Sequence, residues 1–147
     1  EDDLRRGESV DVNILVAAVS KRHQHHTKAL AWFQGVGEGE AIICRVAQLG
    51  LIRLLNNPAV MREDVLNASQ CWTLWHQMFS DSRWSFVAAE PQNLDFHLEA
   101  PSTGTGHSPG IWTDCYLAAF ARASDFSLVT LDRGFSRFPG LRVQLLH

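Results

Sequence analysis

The sequence lacks several features that would assign it at once to a broad class. No apolar run approaches the roughly 20 residues that cross a bilayer, so no segment reads as a membrane span. The opening stretch EDDLRRGESV has no initiator Met and no apolar core of the signal-peptide kind. Residues 1–8 are therefore expected to be a charged tail or expression remnant, ahead of one domain over 9–147. Cysteine is scarce: Cys44, Cys71 and Cys115 are odd in number and lie in apolar surroundings. Reduced, buried thiols in a cytoplasmic protein are expected rather than a disulfide frame. A basic excess is also missing, with 13 Lys and Arg against 16 Asp and Glu and a net charge of -3. That counts against a non-specific nucleic-acid binder. It leaves room for an enzyme whose bound divalent ions offset acids that would otherwise repel phosphate.

Two local patterns are set aside. The stretch TGTGHSPG lacks the Lys-Ser/Thr ending of a phosphate-gripping loop. The cluster His23, His25, His26 lacks the further ligands of a zinc hydrolase and is expected to pack at a helix start or on a dimer surface. No internal repeat or linker divides the chain.

Elements alternate along the sequence. SVDVNI reads as a strand that runs into a helix through LVAAVS, with Asp11 beside an apolar run. A carboxylate among apolar groups costs several kcal/mol unless paired, protonated or bound to a metal. HHTKALAWFQGV reads as a helix, EAIIC as a strand, and RVAQLGLIRLLNN as a helix with Val46, Leu49, Ile52 and Leu54 or Leu55 on its apolar side. REDVLNASQCWTLWHQMF reads as a helix with acids in its first turn, where the dipole favours them. WSFVAA is a third strand and PQNLDFHLE a short helix, and APSTGTGHSPG is the clear loop. IWTDCYLAAFARAS is a further helix, followed by the strand FSLVTL, the turn DRGFSRFPG and the strand LRVQLL. Strands alternating with helices predict a three-layer α/β domain: a mainly parallel sheet of about five strands with helices on both faces.

In such folds the functional crevice lies beyond the carboxyl ends of the strands. Asp11, Asp114 and Asp132 fall there or close to it. Asp132 also suits a turn former, and Asp114 a charge that favours a helix start. Together on one rim they would repel each other, and an oxygen-ligated Mg²⁺ or Mn²⁺ would relieve that repulsion. Asn13 is expected to orient Asp11 or a metal-bound water through its amide. Thr113 either supports Asp114 or caps its helix. Arg133, Arg45 and Arg53 are the candidate phosphate-binding cations, Arg53 equally able to pair with an acid. Lys21, Arg22 and Arg62 read as solvated surface. Trp32, Trp72 and Trp75 read as buried helical positions, whereas Trp84 and Trp112 border the rim within reach of a substrate.

These residues, taken together, resemble a PIN-domain protein of the VapC toxin type over about Val10 to Phe135. The resemblance rests on DVNILVAAV with Asp11 and Asn13, HQHHTKALAWF, RVAQLGLIRLLNNPAV, WTDCYLAAFA with Asp114, and TLDRGF with Asp132, in that order. It implies metal-dependent cleavage of RNA, a small VapB-type antitoxin that blocks the acidic pocket, and a homodimer. It also implies that Asp11, Asp114 and Asp132 hold the ion and that Asn13 and Gln48 belong to the catalytic set. Gln48 stands where the general pattern has a Glu, so the site has three firm carboxylates and weaker hold on a second ion. Glu90 is either a fourth contributor or a loop-end carboxylate.

Overall fold

The computed structural model describes residues 7–147. The expected tail thus lies outside the described residues except for Gly7 and Glu8, and Glu8 already belongs to the first strand. Five strands form the sheet: β1 (Glu8–Val10), β2 (Ala41–Cys44), β3 (Trp84–Val87), β4 (Ser127–Thr130) and β5 (Val143–Leu145). Their order is β3-β2-β1-β4-β5, and every neighbouring pair is parallel. All four residues of β2 are buried, as expected of a short apolar run covered on both faces.

The helices are α1 (Val12–Val19), α2 (His26–Gln34), α3 (Arg45–Leu55), α4 (Pro58–Met61), α5 (Ala68–Met78), α6 (Leu94–Ser102) and α7 (Trp112–Ser124). The chain moves from β1 outward to β3, then returns across the sheet to β4. Right-handed crossovers therefore put α1 to α5 on one face and α6 and α7 on the other. The packing agrees: α1 lies against α2 and α3, and α6 lies along α7. The expected three-layer arrangement is the one observed.

Several local expectations need correction. The first strand ends at Val10, so Asp11 is not inside an apolar element but is the cap residue of α1. The helix expected from Arg62 onward is broken. Arg62 adopts a left-handed φ of 54° and opens a 3₁₀ turn through Asp64, and a new helix starts only after Asn67. Asn67 and Gln70 form a reciprocal capping box there, which satisfies two otherwise orphaned backbone donors. Glu63 and Asp64 therefore sit in the 3₁₀ turn and not in the first turn of α5. On α3 the buried stripe is Ala47, Leu51 and Leu55 with Gln48 and Gly50, while Leu49 is exposed. Among the tryptophans, Trp32, Trp75 and Trp84 are buried and Trp72 is exposed. Trp84 stacks on Phe33 with ring centroids 4.5 Å apart, which removes it from the rim. The three cysteines are free and buried.

Close approach of α1 and α3 depends on Gly50. A Cβ built there would lie 2.6 Å from Val12 Cγ2, well inside van der Waals contact. Gly50→Ala is expected to lower unfolding free energy by about 1–3 kcal/mol through overpacking. Urea unfolding checks this as a lower midpoint at unchanged slope; an unaltered midpoint would mean that Val12 moves aside at no cost.

Candidate active site

Three helix starts meet at one end of the sheet. α1 and α3 begin directly after β1 and β2, while α7 runs back toward the amino end of β4 and so begins at the same carboxyl rim. Backbone N–H groups at these starts favour negative charge. The acids gather at that rim. A cavity of about 320 Å³ is lined by Asp11, Asn13, Thr113, Asp114 and Asp132, with Arg53 and apolar walls from Val12, Val46 and Leu54.

Asp11 is the most constrained of them. It is only 7% exposed. Its Oδ1 accepts from the Val12 N–H at 2.7 Å and its Oδ2 from the Thr130 hydroxyl at 2.6 Å. The Thr130 oxygen in turn accepts from the Asp132 N–H at 3.0 Å. One buried threonine thus links the end of β1 to the turn after β4. Sequence reading missed Thr130; its signal is a hydroxyl two residues before Asp132 at the end of an apolar strand. Burial pushes Asp11 up from 3.8 to about 6, against the two hydrogen bonds that lower it, and the charges of Asp114 and Asp132 push the same way.

Asp132 caps the turn that follows β4, its Oδ1 accepting from the Gly134 N–H at 2.8 Å. Asp114 lies in the first turn of α7 and accepts at Oδ2 from Arg137 Nη2 at 3.3 Å. Burial raises its proton affinity and the Asp132 charge adds to this, while Arg137 pulls the other way. Asn13 lines the cavity, but its Oδ1 accepts from the Leu131 N–H at 3.4 Å rather than engaging Asp11. Thr113 lines the cavity too, and it is not a cap, since α7 starts after Ile111 without any side-chain cap bond.

Other expected residues lie elsewhere. Gln48 is buried and accepts from Arg45 Nη1 at 2.6 Å, away from the cavity. Arg45 is held by that bond and by Phe86, its guanidinium carbon 4.9 Å from the ring centroid. Neither lines the cavity, although Val46 of the same turn does. Arg133 belongs to a separate hollow with His25, Lys28 and Leu146. One residue past Asp132, the chain has already turned outward. Of the three candidate cations only Arg53 lines the acidic cavity. Glu90 accepts from the Tyr116 hydroxyl at 2.7 Å and does not join the acids. His23 Nδ1 accepts from the His25 N–H at 3.0 Å, and His26 Nδ1 lies 2.7 Å from the Ala17 carbonyl oxygen. These bonds tie the histidine cluster to the start of α2.

The donors have the chemistry of a magnesium or manganese site: hard carboxylate oxygens, with the charges of Asp114 and Asp132 raising the proton affinity of Asp11 and no cation offsetting them there. Among the described residues, however, no three His, Cys, Asp or Glu side chains are arranged as a ready-made cage. The fit is to an ion that keeps several waters and touches one or two carboxylates, as Mg²⁺ commonly does.

The chain belongs to the PIN-domain family: the family model for the PIN domain matches residues 9–141. Among its relatives are proteins named Ribonuclease VapC41 and Ribonuclease VapC29 of Mycobacterium tuberculosis. The first is 33% identical over 92% of this chain and 96% of its own length. The second is 33% identical over 89% and 90%. In fold the chain is similar to VapBC2 from Rickettsia felis bound to a promoter DNA fragment, with a TM-score of 0.62, 17% identity, and 95% and 98% of the two chains covered. It is also similar to FitAB bound to a DNA fragment, with a TM-score of 0.65, 14% identity, and 93% of each chain covered. Among the described residues no helix is long and apolar enough to cross a membrane.

The Asp11 environment has a measurable consequence. Stability tied to a neutral Asp11 is fully present below its ordinary 3.8 and is lost as the pH rises through about 6. The difference corresponds to roughly 3 kcal/mol at neutral pH as an upper figure. In EDTA, Asp11→Asn is expected to be more stable than the parent at pH 7 by up to that amount, with the gap closing toward pH 4. Urea unfolding of both proteins at the two pH values checks this. A gap that does not change with pH would show that Asp11 is not destabilised by its charge.

Proposed function

We propose that this protein is a divalent-cation-dependent endoribonuclease and the toxin half of a toxin–antitoxin pair. One observation carries the reading: Asp11, Asp114 and Asp132, more than a hundred residues apart at the extremes, line a single cavity at the carboxyl end of the sheet. The relatives named as ribonucleases at 33% identity support RNA as substrate. Asp11, Asp114 and Asp132 would hold Mg²⁺ or Mn²⁺, in part through water. When bound, such an ion offsets charge on the scissile phosphate and acidifies a water.

The chain's own residues do the rest. Thr130 fixes Asp11 by its hydroxyl and Asp132 by its backbone, so both carboxylates are in place before substrate arrives. Asn13, held by the Leu131 N–H, lines the wall beside Asp11 and has an amide N–H₂ to offer a water or a phosphate oxygen. Arg53 and the Thr113 hydroxyl, both lining the same cavity, take the phosphate. The burial of Asp11 excludes water from one wall and strengthens these interactions.

A VapB-type antitoxin is the expected partner, supported by the likeness to VapBC2, and it would act by covering this cavity. A second copy of the chain is also expected, with exposed Leu49 and Trp72 on the packed helices α3 and α5 as its apolar footing. A second reading is a PIN domain that binds RNA or an antitoxin without cutting. Gln48 favours it, since a buried amide bonded to Arg45 adds no charge to the site.

Incubation of the protein with single-stranded and structured RNA, with Mg²⁺, Mn²⁺ or EDTA, separates the two. Metal-dependent cleavage leaving a 5′-phosphate and a 3′-hydroxyl is expected, falling at least about 100-fold in Asp11→Asn. Arg53→Gln is expected to raise KM several-fold and Arg133→Gln to leave it unchanged. Tight binding without cleavage would establish the second reading, and 2′,3′-cyclic ends would contradict attack by water.

A further inference from the structure

The turn after β4 does more than carry Asp132. Gly134 gives its N–H to Asp132 Oδ1 at 2.8 Å and receives Arg137 Nη1 on its carbonyl oxygen at 2.7 Å. The other nitrogen of that guanidinium, Nη2, donates to Asp114 Oδ2 at 3.3 Å. The guanidinium carbon also lies 4.6 Å from the centroid of the Phe138 ring, and Phe138 is buried. An ordinary surface ion pair has a single contact and a freely moving side chain. Here a planar fork is fixed at both nitrogens and on one face.

Arg137 does not line the acidic cavity. It lines a different hollow, with Pro101, Ile111 and Cys115, and reaches Asp114 from behind. It therefore cannot act as a substrate-binding cation without leaving Asp114. Gly134 is an independent sign that the arrangement is built. A Cβ there would stand 2.8 Å from Arg137 Nη1 and 3.1 Å from Asp132 Oδ1. The requirement for glycine at this point is space between the two partners.

We propose that Arg137, braced by the Gly134 carbonyl and the Phe138 ring, is the positioning residue that sets the Asp114 carboxylate against Asp132 for a shared divalent cation. The proposal rests on the cation site described under Proposed function. Arg137 holds one oxygen of Asp114, leaving the other for the cavity, and the same glycine that receives Arg137 holds one oxygen of Asp132. Two acids from separate elements are thus oriented by one five-residue turn.

The sign of a binding change tests this without any RNA. Removing a positive charge beside an acidic site strengthens cation binding if charge alone matters. Loss of positioning weakens it. Isothermal titration of the full chain with Mn²⁺ alone is expected to show Arg137→Gln at least about 10-fold weaker than the parent, in the range for groups that orient a ligand. Gly134→Ala, which changes no charge, is expected to weaken binding similarly, and Arg137→Lys to fall between. Arg142→Gln, which breaks the exposed pair with Asp125, is expected to bind like the parent. In the cleavage assay kcat falls and KM holds. Unchanged or tighter Mn²⁺ binding in Arg137→Gln and Gly134→Ala overturns the proposal. Should Arg137→Gln fail to fold, as judged by circular dichroism, the other two variants decide it. Failure of the parent chain to bind Mn²⁺ overturns the cation site itself, a result distinct from normal parent binding with insensitive variants.

Discussion

The Thr130 hydroxyl is the joint on which the acidic rim is built. It donates to Asp11 and accepts from the Asp132 backbone, and so fixes two acids that the sequence separates by most of the chain. A carboxylate as buried as Asp11 needs compensation, and two short bonds supply only part of it: the group still holds its proton to about pH 6. The fold therefore retains an acid in a setting that opposes its charge. Such retention is expected where the charge has work to do. Burial against stability and charge for chemistry meet in the same side chain.

The central place of β1 follows from the same requirement. It pairs with β2 on one side and β4 on the other, so that the residue after it lies close both to the end of β4 and to the start of α3. Gly50 lets α3 approach α1 closely, and Arg53 and Leu54 of the same helix line the cavity. The apolar contacts of the two helices thus set the width of a polar cavity.

Much of this was legible in the residues. Alternating apolar runs gave the five strands and the parallel sheet, because a strand buried on both faces leaves a continuous apolar signature, as in AIIC. The gathering of Asp11, Asp114 and Asp132 at one cavity was legible because residues that follow parallel strands, or open the helices that return to them, share one rim. Hydrogen-bond partners were less accessible. Arg137 was passed over in favour of Arg133, the nearer neighbour of Asp132. A 3₁₀ turn brings the fifth residue on back toward α7 and sends the adjacent one outward. Gln48 was assigned to the site by resemblance and Arg45 as a cation for phosphate, and their actual bond to each other depends on side-chain packing that periodicity does not encode. The break at Arg62 was missed because the acids at Glu63 and Asp64 imitate a helix start, while the true start signal was the Asn67 and Gln70 pair.

The strand order also bears on when the site comes into being. β1 is made well before its neighbour on one side, β4, whose residues lie more than a hundred positions further along. Contacts of such long sequence separation form late. A nascent chain on the ribosome lacks Thr130 and Asp132 until β4 has been translated, and until then Asp11 is without the Thr130 hydroxyl. The topology by itself delays assembly of the acidic centre until β4 has emerged.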